Sequence, residues 1–264
     1  MLAKLRMRLE TEQEDFFSMD KASLLQGVLM EQLDASYGER LHSPGLRPYR
    51  QSLFLHDGSW IWEVAVLNRE AYKQILVKLN RETFTDFTIQ HNQVKVSIES
   101  KTVSTEPYER LFREFYEKES RGYYAVRFVT PTSFRKDGHY LFYPDLRCIF
   151  QSLMNKYTAA SEEETMDSQE MLQQLTDTSR ITRYSLRSVL FQEEGIKIPA
   201  FMGNILIRNT GPQTLKNYLE LLFRFGEYSG IGIKCAMGMG AILLERRDGN
   251  DRTPGKTNDR KPFA

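Results

Sequence analysis

The chain runs through one order of hydrophobic periodicities twice, and this duplication restricts its fold more than any other feature. In the first pass Ala3, Leu5, Met7 and Leu9 alternate with polar residues, as in a strand with one buried face. Ser18 or Asp20 can cap a helix whose apolar stripe is Leu24, Leu25, Val28, Leu29 and Leu33. A loop rich in turn formers, 37–48, leads into RQSLFLH and WIWEVAVL, and the Asp57-Gly58-Ser59 turn between them signals a hairpin. AYKQILVKLN predicts a second helix, and FTIQHNQVKVSIES a strand or strand pair. The second pass starts at Tyr123. YYAVRFVTP is a strand, DLRCIFQSLMNKY a helix, TRYSLRSVLFQ and KIPAFMGNILIRN are strands, and MGMGAILLERR closes the pass. Before that last strand comes a helix opened by Pro212, with Leu215, Tyr218, Leu219, Leu222 and Phe223 on its buried face. A small hairpin turning at Asp137-Gly138 is inserted early, and the acidic stretch from Ser161 to Thr178 reads as a helical insertion or a mobile loop. Both passes read β-α-β-β-α-β, which predicts the α+β class with two tandem ferredoxin-like domains. The expected bounds are 1–110 and 111–246, with a tail, 247–264, that has too little to bury and is expected to be disordered.

A length of 264 residues suits two such domains. The start, MLAKLRMRLE, lacks the apolar run of a signal peptide, and no window approaches the ~20 apolar residues of a membrane span. A soluble, cytoplasmic protein is expected. Cys148 and Cys235 are read as free thiols, since they lie far apart in sequence. The histidines are scattered and no C-x-x-C spacing occurs, so neither metal site nor cofactor is expected. The net charge of +1 is unevenly placed: basic residues outnumber acidic ones from Arg180 onward, and the reverse holds before it. A nucleic-acid ligand would therefore use a local basic surface, because bulk attraction is absent.

The segment from Gly226 to Gly240, GEYSGIGIKCAMGMG, also carries glycines at 230, 232 and 238. A dinucleotide-binding glycine motif follows a strand and opens a helix, whereas this one follows a helix and opens a strand, which argues against a nicotinamide site. Glycines let a backbone approach an anion closely and turn its N–H groups toward it, and Lys234 adds a positive charge in the middle. A phosphodiester suits such a loop. The plainer reading is a helix end followed by a connector.

FGEYSGIGIKCAMGMG resembles the glycine-rich loop of the RAMP superfamily of CRISPR proteins. Within it the chain resembles the repeat-processing endoribonucleases, the Cas-six family, in the form that accompanies type III systems. LHSPGLRPYRQSLF (41–54), FVTPTSFR (128–135), FYPDLRCIFQSLM (142–154) and KIPAFMGNILIRNTGP (197–212) extend the likeness, which runs from about Met1 to Arg246. The resemblance implies tandem ferredoxin-like, RRM-like domains and endonuclease processing of precursor crRNA into guides for antiviral defence. It also implies CRISPR repeat RNA as partner and no cofactor, with a type III effector complex and a homodimer as further partners. The family often places its catalytic histidine in the loop after the first helix, where this chain has His42. A non-catalytic RAMP subunit that holds guide RNA shares the glycine loop and is the alternative. A pair of ferredoxin-like domains that binds a small molecule would instead need an apolar pocket.

Metal-free RNA cleavage uses the substrate's own 2′-hydroxyl as nucleophile. The protein must move protons, stabilise the phosphorane and hold the reacting atoms in line, and the products are a 2′,3′-cyclic phosphate and a 5′-hydroxyl. His42 is the proton-transfer candidate, because histidine as a residue type titrates near neutrality. Tyr37 can position it or share its proton, and Lys234 can stabilise the transition state or bind phosphate. Some family members pair the histidine with a lysine, but the nearest lysines in this sequence are Lys21 and Lys73. Arg47 and Arg50 follow His42 closely and are RNA-binding candidates. So are Arg135 and Lys136 in the inserted hairpin, together with Gly230, Gly232, Gly238 and Gly240. Arg183 and Arg187 alternate on one strand face and can also reach a stem, although a solvated strand face explains them equally well.

Overall fold

The duplicated pattern becomes two antiparallel sheets with a shared strand order. The computed structural model describes residues 1–13, 15–43, 45–160, 168–193 and 195–245. The first sheet contains β1 (Leu2–Thr11), β2 (Tyr49–His56), β3 (Ser59–Val66), β4 (Asp86–Ile89) and β5 (Val94–Glu106), in the order β2-β3-β1-β5-β4. The second contains β6 (Tyr123–Thr132), β9 (Ser179–Glu193), β10 (Ile196–Asn209) and β11 (Ile242–Glu245), in the order β11-β6-β10-β9. With β4 set aside as an added edge, both sheets place their strands fourth, first, third, second, as the βαββαβ pattern requires. β7 (Phe134–Lys136) and β8 (His139–Leu141) form the inserted hairpin. Asp57-Gly58 and Asp137-Gly138 have positive φ at both positions, the turn geometry that matches strand twist.

Helices cover one face of each sheet. α1 (Ala22–Glu31) and α2 (Ala35–His42) lie over the first. α3 (Arg69–Ala71), a π-helical turn (Tyr72–Leu76) and α4 (Val77–Leu79) run on as one segment over the same core. Leu5, Met7, Leu25, Leu29, Trp62 and Val64 are fully or almost fully enclosed there. Over the second sheet lie α5 (Tyr108–Glu117), α6 (Leu146–Ala160), α7 (Gln169–Thr178) and α8 (Gln213–Ser229). Their core includes Tyr124, Phe128, Phe150, Leu153, Leu222 and Phe223.

Three expectations change. The stretch 37–48 is not all loop, since its first half is α2, with Tyr37 and Leu41 buried. Residues 107–122 are not a bare boundary: α5 packs Leu111, Phe112 and Phe115 into the second core, so the expected division at 110 runs through a helix. In the acidic stretch, Ser168 caps α7 by accepting the N–H of Met171 at 3.0 Å, while 161–167 lie outside the described residues, as does the expected tail. No helix is long and apolar enough to cross a membrane.

Candidate nucleic-acid interface at the domain junction

The glycine segment is built into the junction between the two domains. α8 ends at Gly230, and the chain then threads between β6 and the first domain before entering β11. Its amides are mostly used within the protein. Ile231 donates to Gly240 O (2.8 Å), Gly240 to Pro131 O (2.9 Å), Ile233 to Ser133 O (3.0 Å), and Met237 and Met239 to Lys234 O (2.9 and 3.2 Å). Gly232 N–H donates to Ser152 Oγ at 2.8 Å. The loop is therefore not the open anion cradle that its composition allows. Its glycines answer close packing: at Gly238 (φ +115°) a Cβ would sit 2.3 Å from Ala22 Cβ, and at Gly240 (φ +73°) 2.1 Å from Ile231 O.

Lys234 projects from this loop with left-handed backbone (φ 56°) and a half-exposed side chain. Its Nζ lies 3.1 and 3.2 Å from the two carboxylate oxygens of Glu193, at the end of β9. Beside it stands the β7–β8 hairpin, joined to the loop through Ser133, with Arg135 and Lys136 exposed. The hairpin that carries Arg135 and Lys136 is thus fastened to the backbone of the loop that carries Lys234.

Arg50 does not join them. It is 1 % exposed and pairs with Glu63 on β3. It also donates to Ser52 Oγ at 3.0 Å and, across the junction, to Glu227 O of α8 at 2.6 Å. Burial alone would raise the Glu63 pKa, but Arg50, Lys4 and Arg6 outweigh it and hold that carboxyl down at about 2. Gln51, next along β2, accepts from Trp62 Nε1 and donates to Ala22 O (2.9 Å) and to Ala236 O of the glycine loop (3.0 Å). The RNA contact expected of Arg50 is accordingly withdrawn, and this arginine fastens the two domains together.

His42 is exposed in the last turn of α2. Arg47 steadies the turn that follows, donating to Ser43 O at 2.8 Å and Gly45 O at 3.3 Å. Tyr37 is 3 % exposed, and its hydroxyl is buried without a hydrogen-bond partner among the described residues. Burial first, and Glu70 next, push its pKa up to about 12. Arg40 lies over its ring at 5.1 Å and pairs with Glu70 at 2.5 Å. Tyr37 therefore anchors α2 and does not reach the surface to share a proton. Of the other histidines, His56 and His139 are exposed on hairpins, and His91 bonds the neighbouring Asn92.

Sequence spacing misses Lys156. From α6 it comes beneath the glycine loop, where Nζ donates to Gly230 O (3.0 Å), Gly232 O (3.2 Å), Ser229 O (3.4 Å) and Cys235 Sγ (3.0 Å). It also lines a shallow cleft with Leu46, Arg47, Pro48 and Leu67, so it connects the segment after His42 to the glycine loop. Lys156 follows Ile149 by seven residues and Leu153 by three, so it interrupts the buried stripe of α6 itself, and that interruption was the signal that could have found it. Among the described residues no three His, Cys, Asp or Glu side chains cluster as metal ligands.

These features have counterparts in known proteins. A profile of the family described as "CRISPR-associated endoribonuclease Cas6" matches residues 126–242. The chain is 34% identical over 236 residues to the CRISPR-associated endoribonuclease Cas6 of Streptococcus thermophilus, covering 88% of this chain and 95% of that protein. It is 33% identical over 222 residues to the Mycobacterium tuberculosis protein of the same name, covering 84% of this chain and 70% of that one. Its fold matches a Thermus thermophilus Cas6 product complex with a TM-score of 0.76 at 19% identity, over 93% of this chain and 100% of the other. With relatives above 30% identity that it matches over 95% and 70% of their length, and the same pair of ferredoxin-like sheets, the chain belongs to the CRISPR-associated endoribonuclease Cas6 family.

Proposed function

We propose that the protein binds CRISPR repeat RNA and cuts precursor crRNA at one phosphodiester without a metal. The 2′-hydroxyl attacks the adjacent phosphorus and the 5′-oxygen leaves, giving a 2′,3′-cyclic phosphate and a 5′-hydroxyl. The observation that carries this reading is His42, an exposed imidazole at the end of a short, firmly packed helix. The turn behind it is closed by Arg47, and the adjoining cleft runs toward the glycine loop through Lys156. His42 moves the proton at the 2′- or 5′-oxygen. Arg47, in the turn that follows it, meets the scissile phosphate, while Lys234, Arg135 and Lys136 hold the RNA backbone. A type III effector complex would receive the product.

The test is cleavage of a labelled cognate repeat in excess EDTA, with His42→Ala in parallel. Cutting is expected to persist in chelator. His42→Ala should lose on the order of 10²–10⁴ in rate, with RNA affinity little changed. A 2′-deoxy substitution just 5′ of the scissile phosphate should abolish cutting while RNA still binds. Loss of cutting in EDTA, restored by magnesium, would refute the metal-free step, and cleavage of the deoxy substrate would refute the nucleophile.

A further inference from the structure

α2, the helix that ends in His42, has eight residues, too few to hold a direction by its own backbone bonds. Besides the core beneath it, the segment formed by α3, the π-helical turn and α4 holds it from the side. Asp34 stands at the N-cap of α2, and its backbone carbonyl accepts the N–H groups of Tyr37 (3.0 Å) and Gly38 (2.9 Å). Its carboxylate does not bond the first turn, as an N-cap aspartate ordinarily does. It turns instead to Lys78 of α4, whose Nζ lies 2.6 Å from Oδ1. Near the other end of α2, Arg40 pairs with Glu70 of α3 at 2.5 Å. The start of α2 thus meets the end of the segment and the end of α2 meets its start, so the two run in opposite directions and are tied at both ends.

The π-turn brings both ties into line. Val77 donates to Tyr72 O, an i→i+5 bond that packs one extra residue into the turn. Glu70 and Lys78 are eight positions apart, and in an unbroken α-helix they would differ by about 80° around the axis. With one residue absorbed they stand like positions i and i+7, within about 20° of one side and roughly 10 Å apart. Asp34 and Arg40 are six positions apart, a rise of about 9 Å, so the two spans match. The ties differ in weight. Arg40 and Glu70 are both more than half exposed, and such a pair holds little. The Lys78 side chain is 10 % exposed, with its stem packed, so its charge has one place to stand and the largely exposed Asp34 carboxylate comes to it.

We infer that Lys78 is a positioning residue for His42: by drawing the Asp34 carboxylate to itself it fixes the start of α2, and with it the place of the imidazole at the other end. Glu70 steadies that second end. The inference rests on the reading of His42 as the group that moves the proton. Lys78 acts through α2 and needs no contact with RNA. Proton transfer depends on a donor and acceptor held in line, and a shift of about 1 Å in a reacting group can cost on the order of 10²-fold in rate.

The experiment uses the full chain and a labelled cognate repeat under single-turnover conditions. Lys78→Met keeps the packed stem and removes the charge, and Asp34→Ala removes a carboxylate that caps nothing. Lys95→Met, an exposed lysine on β5, is the control. Lys78→Met should cut roughly 10–100-fold more slowly, with RNA affinity unchanged and the control like the wild type. Combining it with Asp34→Ala should add less than about twofold, because the two act as one tie. In a His42→Ala background Lys78→Met should change the residual rate by less than about twofold, whereas a general loosening of the fold would slow that background as well. If Lys78→Met melts early, Asp34→Ala should show the same rate loss and the same silence without His42. The imidazole C–H resonance of His42, identified by its absence from His42→Ala, is followed in parallel. It should move in Lys78→Met while those of His56, His91 and His139 stay. A rate and a His42 resonance both unchanged in Lys78→Met would overturn the inference, and so would an equal loss with and without His42. If His42→Ala cuts like the wild type, the proton-transfer reading falls, and the resonance alone then decides whether Lys78 holds α2.

Discussion

A guanidinium enclosed as tightly as that of Arg50 stays in place because Glu63 faces it, and the pair has a pH signature. The folded-state pKa of Glu63 is held at about 2, below the ordinary carboxyl value. Its contribution is therefore fully present above about pH 4.5 and is lost as pH falls from there toward 2, a change on the order of 3 kcal/mol. Denaturant titrations at pH 6 and pH 3 should show a smaller difference for Glu63→Gln than for wild type, and an equal difference would remove the carboxylate from the account. Lys234 is the contrasting case, since its ammonium is held by Glu193 yet remains half-exposed and can be shared with a phosphate. Lys234→Ala should reduce the salt slope of RNA binding by about 0.9 and also destabilise the fold, because Glu193 is left buried without its cation. Adding Glu193→Gln should restore stability but not the slope; a slope restored with it would show that Lys234 acts only on the fold. The sequence could not separate these two basic residues. Arg50 finds its partners 13 and 177 positions away, whereas proximity to His42 in sequence suggested a role beside it.

Elements were legible where their periodicity was carried through to burial. The alternation in β1 and the stripe of α1 match the buried residues, and both Asp-Gly turns fall where expected. α2 was missed because an eight-residue helix with no side-chain cap is marginal on its own. Tyr37 and Leu41 hold it against the first core, and that contact is invisible to spacing. α5 does carry a signal in the sequence, in Leu111, Phe112 and Phe115 after Pro107. The glycine segment was placed correctly between helix and strand, but its composition suggested an open loop where the structure has a packed one. Gly238→Ala tests that point. The substitution combines positive φ with a Cβ driven into Ala22, so it should destabilise by roughly 2–5 kcal/mol. A variant as stable as wild type in urea denaturation would return the loop to a loose connector.

At the scale of the whole molecule, two sheets of equal strand order are joined by unlike parts. The first domain contributes β2 and the start of α1, and the second contributes the end of α8 and the glycine loop. The duplication was readable because each copy repeats the same periods. The junction was not, because it consists of single residues drawn from distant points of the chain. Tyr108 adds another tie, donating from α5 to Leu67 O at 2.8 Å.

The seating of Gly238 against Ala22 has a consequence for how such a molecule can diversify. Each half resembles a self-sufficient module, yet neither presents a finished outer surface without the other. Expressed as separate chains, the halves would expose a recess shaped for a missing neighbour, and the Ala236 carbonyl would lose the Gln51 amide that reaches it from the first half. A recombined protein taking its first half from one relative and its second from another would inherit mismatched recesses, however well each sheet folded. Exchange of parts should succeed at the sheet edges and the inserted hairpin, leaving the two halves to vary together.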